Sequence, residues 1–291
     1  MDSISEQFAQ SFTKVLNRHG YGFQYSLIEE AKSLFDKRRS SWRFEASEFP
    51  VEVQGSGTKI DFILRRDQDR DGFDRPTFYL VAECKRTNAA LSKWCFVRAP
   101  YVSKDAWGQT DFFVMDRVQL GEDGSVLSVP IKSSFQTKSY HLGFEVRSNE
   151  KGDESGESGQ NIEKAATQVS RGLNGLINTF AASPSLLVKK EAYFLPVIFT
   201  TADLFVSDAD ISLTDLSTGK MNVTKEQLRK VDWLLYQYPM SPGLKHSLKG
   251  TSNPTSISEL LNAAYVRSIP VVNPKGMLDF LGVTSSFDLM I

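Results

Sequence analysis

Five consecutive apolar residues, Phe78-Tyr79-Leu80-Val81-Ala82, run without a break into Glu83-Cys84-Lys85. A run this short and this uniformly apolar predicts a strand covered on both faces, hence a central strand of a sheet with helices packed against it. Side chains two apart on a strand share a face, so Glu83 and Lys85 point one way and Cys84 the other. Charges that continue a buried strand lose hydration, and such groups are seldom left without a partner or a task.

The flanking sequence supplies the other layers. Phe44, Phe49, Val51 and Val53 lead into the turn Gly55-Ser56-Gly57, after which Ile60, Phe62 and Leu64 alternate with more polar residues, giving two further strands. Upstream, Ser3 with Glu6 fits a capping box for a helix over about 4–18, and Leu27, Ile28, Ala31, Leu34 and Phe35 mark a second helix that ends at the basic cluster Lys37, Arg38, Arg39. Downstream, 112–120 and 125–131 read as a hairpin around Glu122-Asp123-Gly124, and Tyr140 to Val146 as a strand. Ser148 to Gln160 contains no apolar residue and reads as a mobile loop. Ile162, Ala166, Val169, Leu173, Leu176, Ile177 and Phe180 define an amphipathic helix, followed by a strand from Tyr193 to Thr200. Strands are also expected near Val231 to Tyr236 and Ile269 to Val272, with a helix over about 257–267 capped by Ser256 and Glu259. No internal repeat or linker is visible. The expectation is one α/β domain with a core of about 24–86 and 161–206, an insertion of about 87–160 and a C-terminal extension of about 207–291.

Several function classes drop out. With 34 Lys plus Arg against 35 Asp plus Glu, the net charge is −1, so a nucleic-acid surface has to be local, with Lys37 to Arg43 and Lys85 to Arg98 as candidates. The longest apolar run, Ala192 to Phe199, contains Pro196 and falls far short of the roughly 20 residues of a membrane helix. The N-terminal residues show no secretory pattern, and a cytoplasmic location without membrane association is expected. Cys84 and Cys95 have no nearby histidine with which to hold zinc, and His19, His141 and His246 are scattered. Neither a nucleophile elbow nor a phosphate-binding loop is present.

What remains is an acidic pair. If the loop from Arg65 to Pro76 is centred on Gly72, antiparallel pairing sets Asp61 across from Glu83, with Cβ atoms about 5 Å apart. Two carboxylates at that spacing can share a divalent cation, and oxygen-only ligands suit Mg²⁺ or Mn²⁺. Lys85 stands beside them, placed to position a water and stabilise its hydroxide form. Carboxylates, cation and ammonium together answer the needs of phosphodiester hydrolysis. The competing reading is a strand-end salt bridge from Glu83 to Lys85 or Arg86. The same acid-x-Lys spacing recurs at Glu30-Ala31-Lys32, inside a helix, where it carries no such meaning.

Helix, strand, glycine turn with Ile60-Asp61-Phe62, then apolar strand with Glu83-Cys84-Lys85-Arg86 resembles the PD-(D/E)xK nuclease superfamily, the restriction-endonuclease-like fold. The resemblance implies a mixed central sheet flanked by helices, here with a strand-rich insertion, and Mg²⁺-dependent cleavage of DNA in preference to RNA. It makes Asp61 and Glu83 the metal ligands and Lys85 the catalytic lysine. Ile60 replaces the proline of the motif. Members often add a glutamate from the first core helix; Glu30 borders that helix's apolar stripe while Glu29 lies nearly opposite it, which favours Glu30. Gln168, beside the apolar face of the later helix, is a further candidate. The alternative is a nuclease-like fold retained without cleavage as a nucleic-acid-binding or assembly module. Trp94, Tyr101, Trp107, Phe112 and Phe113 among Lys93, Arg98 and Lys104 suit either base stacking or a small core within the insertion. Asp67, Asp69, Asp71 and Gly72 imitate a calcium loop, but Phe78 stands where the bidentate Glu belongs, and a solvated turn is expected. Oligomeric state is open, a homodimer included.

Overall fold

The structure, a computed structural model, describes residues 5–67, 76–87, 91–99, 111–121, 125–148, 154–183, 185, 191–241, 256–257, 261 and 265–286. It opens with two helices, α1 (Glu6–His19) and α2 (Tyr21–Asp36). Ser5 caps α1, its hydroxyl accepting from the Phe8 N–H at 3.2 Å, whereas the anticipated cap, Ser3, lies outside the described residues. Gly20, at φ 74°, turns the chain into α2.

Three antiparallel strands follow, β1 (Arg43–Val53), β2 (Ser56–Asp67) and β3 (Thr77–Lys85). Gln54 and Gly55, both at positive φ, make the two-residue turn between the first two, the geometry that matches strand twist. Beyond them come β4 (Lys93–Val97), β5 (Phe112–Leu120), β6 (Val126–Gln136), β7 (Ser139–Tyr140), β8 (Leu142–Ser148), β9 (Glu154–Ser158), helix α3 (Gln160–Ala182), β10 (Glu191–Thr200), β11 (Asp203–Ser207), β12 (Leu228–Val231), β13 (Trp233–Pro239), β14 (Val266–Val272) and helix α4 (Met277–Ser285).

The result is a mixed α/β fold whose central sheet runs β1-β2-β3-β10-β14-β13-β7. β10 lies parallel to β3, with Ile198 opposite Glu83 and Thr200 opposite Lys85. Its other edge is forked: Ile198 and Phe199 pair with β14, while Glu191 to Phe194 pair with β5, which in turn carries β6. A second sheet runs β12-β11-β4-β8-β9. Along β3, Tyr79 and Val81 join the core under α3, whereas Phe78, Leu80 and Ala82 join the core under α2 and α4. The uniformly apolar run is thus buried on both faces, as its composition predicts. α3 sits very close to β1: a Cβ on Gly175 would lie 2.6 Å from the Val51 Cβ.

Several expectations are corrected. Residues 154–158 of the presumed mobile loop form β9 against β8, because main-chain pairing orders a segment whose composition speaks only to side-chain burial. Tyr140–Val146 is two strands, split at His141 between the two sheets, and Val231–Tyr236 divides likewise at Asp232. Among the described residues, the insertion has no separate core. Trp94 and Phe96 are buried in the core under α3, and Phe113 in the opposite one, so base stacking by Trp94 or Phe113 is ruled out by burial. Tyr101, Lys104 and Trp107 lie outside the described residues. Of the helix expected over 257–267, most also lies outside them, and Val266 already belongs to β14.

Candidate active site

Asp61 and Glu83 come together as the register requires. The β2–β3 ladder runs from Asp67 opposite Thr77 to Phe62 opposite Ala82, which sets Asp61 across from Glu83 one step further on. Instead of extending the ladder through its main chain, Asp61 uses its side chain: Oδ2 accepts the N–H of Cys84 at 2.6 Å. Glu83 is 6% exposed. The Lys85 ammonium lies 2.9 Å from Glu83 Oε1 and donates to Gln168 Oε1 at 2.5 Å, so α3 closes the site from the Glu83 side of the sheet.

The local backbone explains why Asp61 is free to turn. On a regular strand, residues two apart share a face, yet Ile60 packs into the α3 core and Phe62 into the α2 core. Alternation therefore breaks at Asp61. On β1, Ala46 and Phe49 both pack against the α3 core at an odd spacing, so a matching break lies between them, where Glu48 adopts φ 51°. The register keeps Ser47 opposite Phe62 and Phe49 opposite Ile60, so Glu48 and Asp61 face each other across the two breaks. From α2, the buried Gln24 bridges them: its Nε2 donates to Glu48 Oε1 at 2.9 Å and to the Asp61 carbonyl at 2.7 Å. Lys59 lies 3.4 Å from Glu48 Oε2.

Burial and the neighbouring Asp61 charge push the Glu83 carboxyl up to about 7, with Lys85 opposing them. Asp61 is raised too, chiefly by burial, with the Glu48 charge adding to it and the Cys84 N–H and Lys85 pulling the other way. The site carries more negative charge than one ammonium balances. That imbalance and the all-oxygen donors fit a hard divalent cation held by Asp61 and Glu83, with water or substrate oxygens completing its shell. Among the described residues, no group of three or more His, Cys, Asp or Glu side chains converges to hold a metal.

Gln168 is exposed on α3 and touches the site only by accepting from Lys85. Glu30 is exposed on α2 and makes no described contact with Asp61, Glu83 or Lys85; Gln24 is the α2 residue that meets Asp61. Sequence reasoning missed Gln24 and Glu48. Phe44 and Phe49 pack on opposite faces, as an odd spacing in a regular strand also gives, because a bulge between Phe44 and Ala46 offsets the break at Glu48; residue type carries no signal of it. Asp67, first residue of the imitation calcium loop, is held by Arg65 and Arg43, while Asp69, Asp71 and Gly72 lie outside the described residues.

No family model, curated protein or solved structure matches this chain.

Proposed function

We propose that the chain is a Mg²⁺-dependent nuclease of restriction-endonuclease-like fold that hydrolyses DNA phosphodiesters. The observation that carries this reading is the facing Asp61–Glu83 pair with the Lys85 ammonium 2.9 Å from Glu83. The order helix, three antiparallel strands, helix and parallel strand, given by α2, β1–β3, α3 and β10, supports the fold assignment. Asp61 and Glu83 would hold the cation, which supplies charge neutralisation at the scissile phosphate. Gln168 and Glu83 fix the Lys85 ammonium at the mouth of the site, where it orients the attacking water and offsets the negative charge that develops on it. Burial of Glu83 keeps bulk water away from its carboxylate and strengthens both interactions. Lys37, Arg38 and Arg39, exposed beyond α2, are candidates for backbone-phosphate contacts.

One observation favours the non-cleaving module instead: Lys85 is already engaged by Glu83 in an ordinary ion pair. Cleavage of single-stranded DNA, double-stranded DNA and RNA, assayed with Mg²⁺, Mn²⁺ or EDTA, separates the two. Metal-dependent loss of DNA supports the enzyme; binding without cleavage in every condition supports the module.

A further inference from the structure

We infer that Glu48 is a positioning residue for Asp61, acting through Gln24; its catalytic consequence rests on the nuclease reading, its structural one does not. The two breaks in strand alternation face each other, and both are met by one buried amide: Gln24, 4% exposed, donates to the Glu48 carboxylate and to the main-chain carbonyl of Asp61. Pinning that carbonyl fixes the turn of the chain between Ile60 and Phe62. It thereby decides where the Asp61 carboxylate goes, which is sideways, onto the Cys84 N–H.

The residue type at 48 is informative. At φ 51° an L side chain is strained and glycine is not. Were the backbone break the sole requirement, glycine would serve better. A glutamate there brings an acceptor that holds one Gln24 N–H, so that the amide plane is set for the second bond to Asp61. Removing the carboxylate leaves Gln24 free to rotate and Asp61 free to slip back into regular alternation.

The test uses Glu48→Gly, which relaxes the strain, and Gln24→Met, which keeps the length of a buried side chain. In the full-length protein the Cys84 amide proton should resonate downfield and exchange slowly, the mark of a short bond to a carboxylate. Glu48→Gly should melt at or above the wild-type temperature, and in both variants the Cys84 resonance should move upfield. Glu48→Gln, which still offers Gln24 an acceptor, should restore it. Cleavage should fall roughly tenfold to a hundredfold in kcat with KM for DNA unchanged, as expected of a misplaced group outside the substrate contact. An unmoved Cys84 resonance in Glu48→Gly and Gln24→Met overturns the inference, whether or not the wild type cleaves. A moved resonance in a protein that cleaves nothing leaves the positioning role standing and removes the nuclease reading.

Discussion

The Asp61 carboxylate accepts the main-chain N–H of Cys84 at 2.6 Å, so a side chain does the work of a strand ladder where β2 and β3 end their pairing. The bond ties the middle of β2 to the end of β3 while leaving Glu83 facing Asp61. Two acids are thereby kept close in a buried place that neither would occupy alone.

Asp61 and Lys85 should separate in metal titration. Asp61→Ala removes one of two carboxylates and should weaken Mn²⁺ binding and abolish cleavage. Lys85→Met should bind Mn²⁺ as tightly or more so, because a competing cation is gone, yet lose cleavage by about a hundredfold or more. Calorimetry and a cleavage assay on the same preparations check this. Wild-type cleavage by Lys85→Met removes the lysine from the mechanism.

Glu83 should make metal binding and stability depend on pH in linked ways. With its folded pKa near 7 and an ordinary value of 4.5, the folded state holds a proton over that window that the unfolded state has released. The stability from that proton is present below about pH 4.5 and lost as pH rises to about 7. A divalent cation competes for the same carboxylate, so Mn²⁺ affinity should rise with pH up to about 7 and flatten above it. Thermal melts at pH 5 and pH 8 should show added Mg²⁺ stabilising the wild type more at pH 8. Glu83→Gln should show neither effect.

His141 should act in the opposite sense. Burial, with the Arg98 charge, lowers it to about 4 from 6.5, so the unfolded state takes up a proton that the folded state refuses. Stability should therefore fall as pH drops from about 6.5 to about 4. Comparing melts of the wild type and His141→Asn across that range isolates the contribution, since the Glu83 effect is common to both.

Asp116 and Arg267 form a buried ion pair at 3.0 Å between β5 and β14. Asp116→Ala should cost about 3–5 kcal/mol, because it strands a guanidinium in the core. Asp116→Leu combined with Arg267→Met should recover most of that loss. Urea denaturation of the three proteins gives the comparison.

Much of the fold and the acidic pair is legible in the sequence. The run from Phe78 to Ala82 announces a strand buried on both sides, and pairing counted outward from Gly72 sets Asp61 across from Glu83, although β2 runs on to Asp67, past the Arg65 at which the expected loop begins. Gln168 is found by asking which polar residue flanks an apolar helical face. Glu48 and Gln24 escape because their roles depend on a left-handed backbone angle and on a bond to a carbonyl, neither of which leaves a mark in residue type. The divisions at His141 and Asp232 escape for another reason: a continuous alternating segment looks the same whether it serves one sheet or crosses to a second. β9 escapes because hydrophobicity reports burial, and an edge strand is held by main-chain bonds.

The forked edge of β10 bears on how the chain is made. Neither pairing on that edge is local: β5 is supplied from much earlier in the sequence and β14 from well after β10. A nascent chain that has emerged only as far as β13 has its most apolar strand open along the half that β14 will occupy, an unpaired template for any other extended segment nearby. Premature termination before Val266 should therefore yield aggregates in place of a smaller, active protein. A strand that leaves the ribosome after β3, β10 and β13 is thus the one that joins them into a single sheet.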